Sequence, residues 1–160
     1  MSTTKSSATY EARIAYVRDW DAHPGKSYTR DHVWEFDGGA RVQASASPHI
    51  VPVPQVSPSA VDPEEAFVAA IASCHMLFFL SLAQRAGYPV TAYEDLAEGK
   101  MEKLPSGEMA ITHVQLSPKV TYRGAGPEAA VEAQLHEEAH HKCFIANSVR
   151  SEISIQTRPH

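Results

Sequence analysis

Apolar and polar positions alternate near the start of the chain. Ala12, Ile14 and Tyr16 fall on one side, with Arg13 and Val17 on the other, which predicts a strand over residues 10–18. Pro24 and Gly25 place a loop over 19–28. Two short strands, 33–36 and 41–46, flank Asp37-Gly38-Gly39, a hairpin signal. Residues 47–61 carry Pro48, Pro52, Pro54 and Pro58; proline fixes φ and removes a donor, so this stretch is irregular and extended. The period then changes. Asp62 stands as an N-cap before Pro63, Glu64 and Glu65 fill the first turn, and the helix they open runs to about Ala86 and stops at Gly87. Residues 90–103 and 109–122 flank Pro105-Ser106-Gly107 and read as two long strands of a second hairpin. Thr112, Val114, Leu116 and Pro118 share one of its faces. A second helix spans 127–142, with Ala130, Leu135 and Ala139 among its small apolar positions, and Ile153, Ile155 and Thr157 suggest a last strand. Hairpins with interspersed helices predict an α+β fold in a single domain over 1–160: a three-stranded meander, a long buried central helix, further strands and a second helix.

The central helix is apolar all round over 66–83, close to the minimum length of a membrane span. It contains Ser73, Cys74, His75 and Ser81, and Asp62, Glu64 and Glu65 precede it with no basic anchor. A core helix is the expectation, and no membrane partner. Composition points the same way: 43% hydrophobic and 21% charged residues are ordinary for a soluble protein. Fourteen basic against 19 acidic residues leave a net charge of −5 with no Lys/Arg cluster, which argues against a nucleic-acid partner. The first residues hold no signal-peptide core, and two cysteines make no disulfide framework, so a reducing, cytoplasmic setting is expected. A bond between Cys74 and Cys143 would then be redox chemistry; taken alone, both also read as small buried apolar side chains.

His136-Glu137-Glu138-Ala139-His140 matches the H-E-x-x-H pattern of zinc sites. The longer metalloprotease pattern wants Gly and His three and six residues on, where this chain has Cys143 and Ala146, and nine histidines make chance matches easy. A solvated helix face accounts for the motif better. A mixed site of His140 or His141 with Cys143, Cys74 and His75 is a further metal-binding alternative. A second constellation joins Cys74, Cys143, Arg30 and Glu64. A cysteine in an apolar helix is inert unless a cation lies beside it. Arg30 is a candidate cation, which Glu64 could orient through a bidentate pair, and Cys143 could resolve an oxidised Cys74.

These residues resemble the OsmC/Ohr family, the osmotically inducible and organic hydroperoxide resistance proteins. Asp62-Pro63-Glu64-Glu65 and the small-residue run ending in Cys74 resemble the family's Asn-Pro-Glu-(Glu/Gln) helix start, with its Cys the same ten residues after the Glu. Arg30-Asp31 through Asp37-Gly38 to Pro48 resembles the strand-turn-strand of the hydroperoxide-resistance branch, and Cys143 follows the second helix as the family's second Cys does. The chain departs from the family's Cys-Pro-Val-Ser at Cys143-Phe144-Ile145-Ala146, and it carries His75 and Met76 after Cys74 and His32 after Arg30-Asp31.

The resemblance implies an intertwined homodimer with its sites at the subunit interface, and a thiol peroxidase without cofactor. Cys74 attacks an organic hydroperoxide, Cys143 resolves the sulfenic acid, and an external dithiol, a lipoyl-type dithiol being the candidate, reduces the disulfide. Arg30 activates Cys74 and Glu64 holds Arg30. The alternative is a non-enzymatic member of the fold that binds a hydrophobic ligand or a metal. Helix geometry adds one expectation. Glu64 and Cys74 stand roughly 15 Å apart along one helix and about 80° apart around it. The Glu64–Arg30 pair therefore reaches Cys74 from the other subunit, or the helix start bends.

Overall fold

A computed structural model describes residues 7–25 and 27–159, so Lys26 of the predicted 19–28 loop lies outside the described residues. The chain forms two compact units, Met1–Pro63 and Glu64–His160. In the first, β1 (Ala12–Ala15), β2 (His32–Phe36) and β3 (Arg41–Ala44) make an antiparallel meander in chain order. β1 is shorter than its alternating pattern because its partner runs out: Ala15 pairs with Val33, and β2 begins one residue earlier at His32. The β2–β3 turn closes with Phe36 N–H donating to the Ala40 carbonyl, and Gly39 takes φ 86° there, a conformation that favours glycine. The proline-rich stretch after β3 has no strand or helix of its own. It returns beside β3, where Ser45 N–H donates to the Val61 carbonyl and Val61 N–H to that of Gln43.

In the second unit, the two long strands expected over 90–103 and 109–122 are each broken in two. β4 (Val90–Asp95) pairs with β7 (Pro118–Tyr122), while β5 (Glu98–Lys103) pairs with β6 (Met109–Leu116). The break has a local cause. Pro118 has no N–H for the ladder, and the Ser117 N–H turns instead to the Asp95 carboxylate, Oδ1 at 2.6 Å. β8 (Glu152–Ile155) joins β6 in parallel and ends before Thr157.

Helix α1 (Pro63–Arg85) ends in a Schellman turn: Tyr88 N–H bonds the Ala83 carbonyl, Gly87 N–H bonds that of Gln84, and Gly87 takes φ 87°. By length and composition it is long and apolar enough to cross a membrane. Here Ile71, His75, Phe79, Leu82 and Ala83 form a buried face with helical spacing. Its burial is one-sided, contrary to the all-round apolar pattern: Leu77 is 61% exposed. Two core clusters meet along it. Ile71 packs with Val114 and Leu116 of β6, and Phe79, Leu82 and Ala83 pack with Val120 of β7 and with Leu135 and Ala139 of helix α2 (Ala129–Lys142). Cys74 and His75 stand where the two clusters adjoin.

Candidate active site

Cys143 leaves α2 at its C-cap, with extended dihedrals and its N–H donating to the His140 carbonyl. A short 3-10 turn, Ala146–Ser148, then folds the chain back, and Ala146 N–H donates to Cys143 Sγ at 3.4 Å. Cys143 is fully buried and Cys74 is half-buried; both are free thiols. They meet across the α1–α2 packing. Burial pushes the Cys143 thiol up and outweighs the Ala146 N–H, and a hydrogen bond with Cys74 raises it further.

Glu64 lies in the first turn of α1, half-buried, and its Oε2 is shielded from solvent with no hydrogen-bond partner among the described residues. α1 runs unbroken from Pro63 to Arg85, so the ten residues between Glu64 and Cys74 set them about 15 Å apart along the axis. Arg30 belongs to the first unit, just before β2. Its Nη1 donates to the Tyr28 carbonyl at 2.8 Å and its guanidinium lies 3.5 Å from the centre of the Tyr28 ring. Next to it, burial alone would raise the Asp31 carboxyl, but hydrogen bonds from Ser57, Ser45 and Thr29 prevail and lower it. Of the four expected site residues, the fold of the second unit thus brings Cys74 and Cys143 together and sets Glu64 further along the same helix.

The H-E-x-x-H segment requires a correction. It is not a solvated face throughout. Glu137 and Glu138 are exposed, and each pairs with a residue four further on, His141 at 2.9 Å and Lys142 at 3.4 Å. His136 is 2% exposed and faces the core. Its Nδ1 lies 3.0 Å from Nε2 of His75, which is 1% exposed, and Phe79 stacks on the His136 ring with centroids 4.0 Å apart. Burial drives both imidazoles toward neutrality: His75 falls to about 4 and His136 to about 3, with His140 and His75 respectively as like-charge neighbours. The signal was a stripe at Glu132, Leu135, His136, Ala139 and Cys143, spaced as one helix face, in which polar residue types masked burial. Among the described residues no group of three or more His, Cys, Asp or Glu is arranged to hold a metal ion, so the mixed Cys/His site does not assemble.

On the side of α1 that carries Cys74, a cavity of about 530 Å³ opens beside Phe67, two turns before the cysteine, and is lined further by Leu104, Ile111, Val149 and Arg150.

Known proteins share this fold. The OsmC-like protein family matches residues 56–158. An OsmC-like protein of unknown function from Vibrio cholerae is 42% identical over 95% of this chain and 100% of its own, with a TM-score of 0.89. Organic hydroperoxide resistance proteins share the fold at lower identity. That of Elizabethkingia anophelis is 17% identical with a TM-score of 0.69, covering 96% of both chains. That of Legionella pneumophila is 19% identical with a TM-score of 0.67, covering 96% of this chain and 97% of its own. No curated protein matches. A family match over well more than half the chain and a 42% identical relative of full length establish that the protein belongs to the OsmC-like family.

Proposed function

We propose that the protein is a thiol peroxidase for organic hydroperoxides that cycles through a Cys74–Cys143 disulfide. The observation that carries this reading is the hydrogen bond between the two thiols, from residues 69 positions apart, in the reduced chain. The Cys74 thiolate attacks the distal oxygen of the hydroperoxide. The O–O bond breaks, the alcohol leaves with one proton, and Cys74 becomes a sulfenic acid. The Cys143 sulfur then attacks the Cys74 sulfur, water leaves, and a disulfide forms. An external dithiol returns both thiols. A buried, proton-holding Cys143 suits the resolving role, because it stays out of competition for peroxide until Cys74 has been oxidised.

Arg30 is the cation that activates Cys74 and Glu64 is its orienting partner, delivered from the second subunit of a homodimer. Two features support the dimer: the rise of about 15 Å between Glu64 and Cys74 on a continuous α1, and the exposed apolar Leu77 and Phe144 close to the thiols in sequence. The cavity beside Phe67 suits the organic part of the substrate, with Arg150 at its edge. The setting is cytoplasmic, where a dithiol is at hand. The test is peroxide consumption with several dithiols, cumene hydroperoxide against hydrogen peroxide. Wild type should consume the organic peroxide faster, and Cys74→Ser should consume neither. Full multiple-turnover activity in Cys74→Ser would exclude the mechanism.

A further inference from the structure

Arg30 is held at three points, all within the first unit. Its backbone N–H donates to the Gln55 carbonyl at 2.8 Å. Its own carbonyl lies 2.8 Å from His32 Nδ1. Its guanidinium donates to the Tyr28 carbonyl and lies flat against the Tyr28 ring. The tautomer of His32 follows from its other neighbour. Trp34 Nε1–H can only donate, and it sits 2.9 Å from His32 Nε2. Nε2 therefore carries the lone pair, and the ring proton is on Nδ1, aimed at the Arg30 carbonyl. The loop that carries Tyr28 is anchored in turn. The Arg18 guanidinium lies 3.6 Å from the Trp20 ring centre and 5.9 Å from that of Tyr28, and its Nη2 donates to the carbonyls of His23, Gly25 and Ser27 at 3.0, 2.6 and 2.8 Å. A surface arginine ordinarily samples many rotamers. This one is fixed in both its main chain and its side chain.

We infer that Tyr28 and His32 are positioning residues for Arg30: the Tyr28 ring sets the guanidinium plane and the His32 imidazole, locked by Trp34, sets the backbone. The inference rests on the reading of Arg30 as the cation that activates Cys74. A preset guanidinium needs no reorganisation as charge develops at the sulfur, which is where electrostatic activation gains its rate. It also gives a place to His32, the residue by which this chain departs from the family after Arg30-Asp31.

The experiment uses the full-length protein and two readouts: the second-order rate of thiol loss with cumene hydroperoxide, and the ¹H–¹⁵N resonances of the arginine Nε groups. Tyr28→Ala keeps the carbonyl and removes the ring; it should slow the reaction by about tenfold to a hundredfold, while Tyr28→Phe stays within about twofold of wild type. In an Arg30→Ala background, Tyr28→Ala should add nothing. The Arg30 Nε–H resonance should be ring-shifted in wild type and Tyr28→Phe and lose that shift in Tyr28→Ala. His32→Leu should be slow and His32→Asn, whose amide can still donate to the carbonyl, should recover the rate. If Arg30→Ala reacts as fast as wild type, the reading of Arg30 as the activating cation fails. If Arg30→Ala is slow but Tyr28→Ala is fast with an unmoved resonance, the positioning role is overturned.

Discussion

Cys74 and His75 are neighbours on α1, and each meets a partner from α2 or its end, yet the two pairs have opposite fates. Successive helix positions point about 100° apart, so α1 offers them different surroundings. The cysteine pair keeps one member half-exposed and shares a hydrogen bond that one oxidation step can turn into a covalent bond. The histidine pair is sealed. His75 and His136 are neutral, their rings lie parallel within 4° and Phe79 stacks on His136, and whichever nitrogen carries the shared proton, one donor and one acceptor of the pair stay unmatched: His75 Nδ1 and His136 Nε2 hold no partner among the described residues. The lesson is that burial, more than residue type, decides which of two potentially reactive pairs is open to a substrate.

That contrast can be broken most sharply at its lid. Phe79→Ala removes a fully buried ring from the α2-side cluster and should cost about 3–5 kcal/mol by urea unfolding. Next, His75→Ala or His136→Ala alone strands a buried imidazole and should cost about 1–3 kcal/mol, whereas the double change His75→Leu with His136→Leu should be nearly neutral. A double variant less stable than either single one would show that the pair is worth more than its desolvation. The same variants sharpen the pH dependence. Both imidazoles titrate lower in the folded than in the unfolded chain, so the unfolded state binds more protons at mild acidity. The pair's contribution to stability is then flat with pH above about 6.5 and is lost as the pH drops from there towards about 4 and 3, and the double leucine variant should have a shallower slope between about pH 6.5 and 4. Equal slopes in the two proteins would remove the histidines as its source. The smallest effect belongs to the exposed half of the same motif. Glu137→Gln breaks only a surface pair with His141 and should change stability by less than about 0.5 kcal/mol and leave peroxide consumption as it was. A large loss of activity there would restore a chemical role to the H-E-x-x-H segment.

The sequence made the meander, the central helix with its Gly87 stop and the second helix legible, because each rests on local signals: period, turn residues and caps. It did not reveal the break of the long hairpin, since the Asp95 carboxylate that takes the Ser117 N–H is 22 residues away. The cysteine pair was legible only through the order of motifs that the family resemblance supplied; nothing in the spacing of Cys74 and Cys143 specifies a contact. The buried histidines were misread because polar residue types stood in an apolar stripe. The holding of Arg30 by Tyr28 and His32 was hidden too, since hydrogen-bond partners two residues away leave no pattern in a sequence.

The most direct test of the thiol cycle is mass mapping after one equivalent of organic hydroperoxide. The account predicts a disulfide joining the peptides of Cys74 and Cys143 within one chain, and in Cys143→Ser a Cys74 sulfenic acid that climbs to the sulfinic acid under excess peroxide. Two free thiols after the peroxide has been consumed, or a disulfide found only between chains, would contradict it.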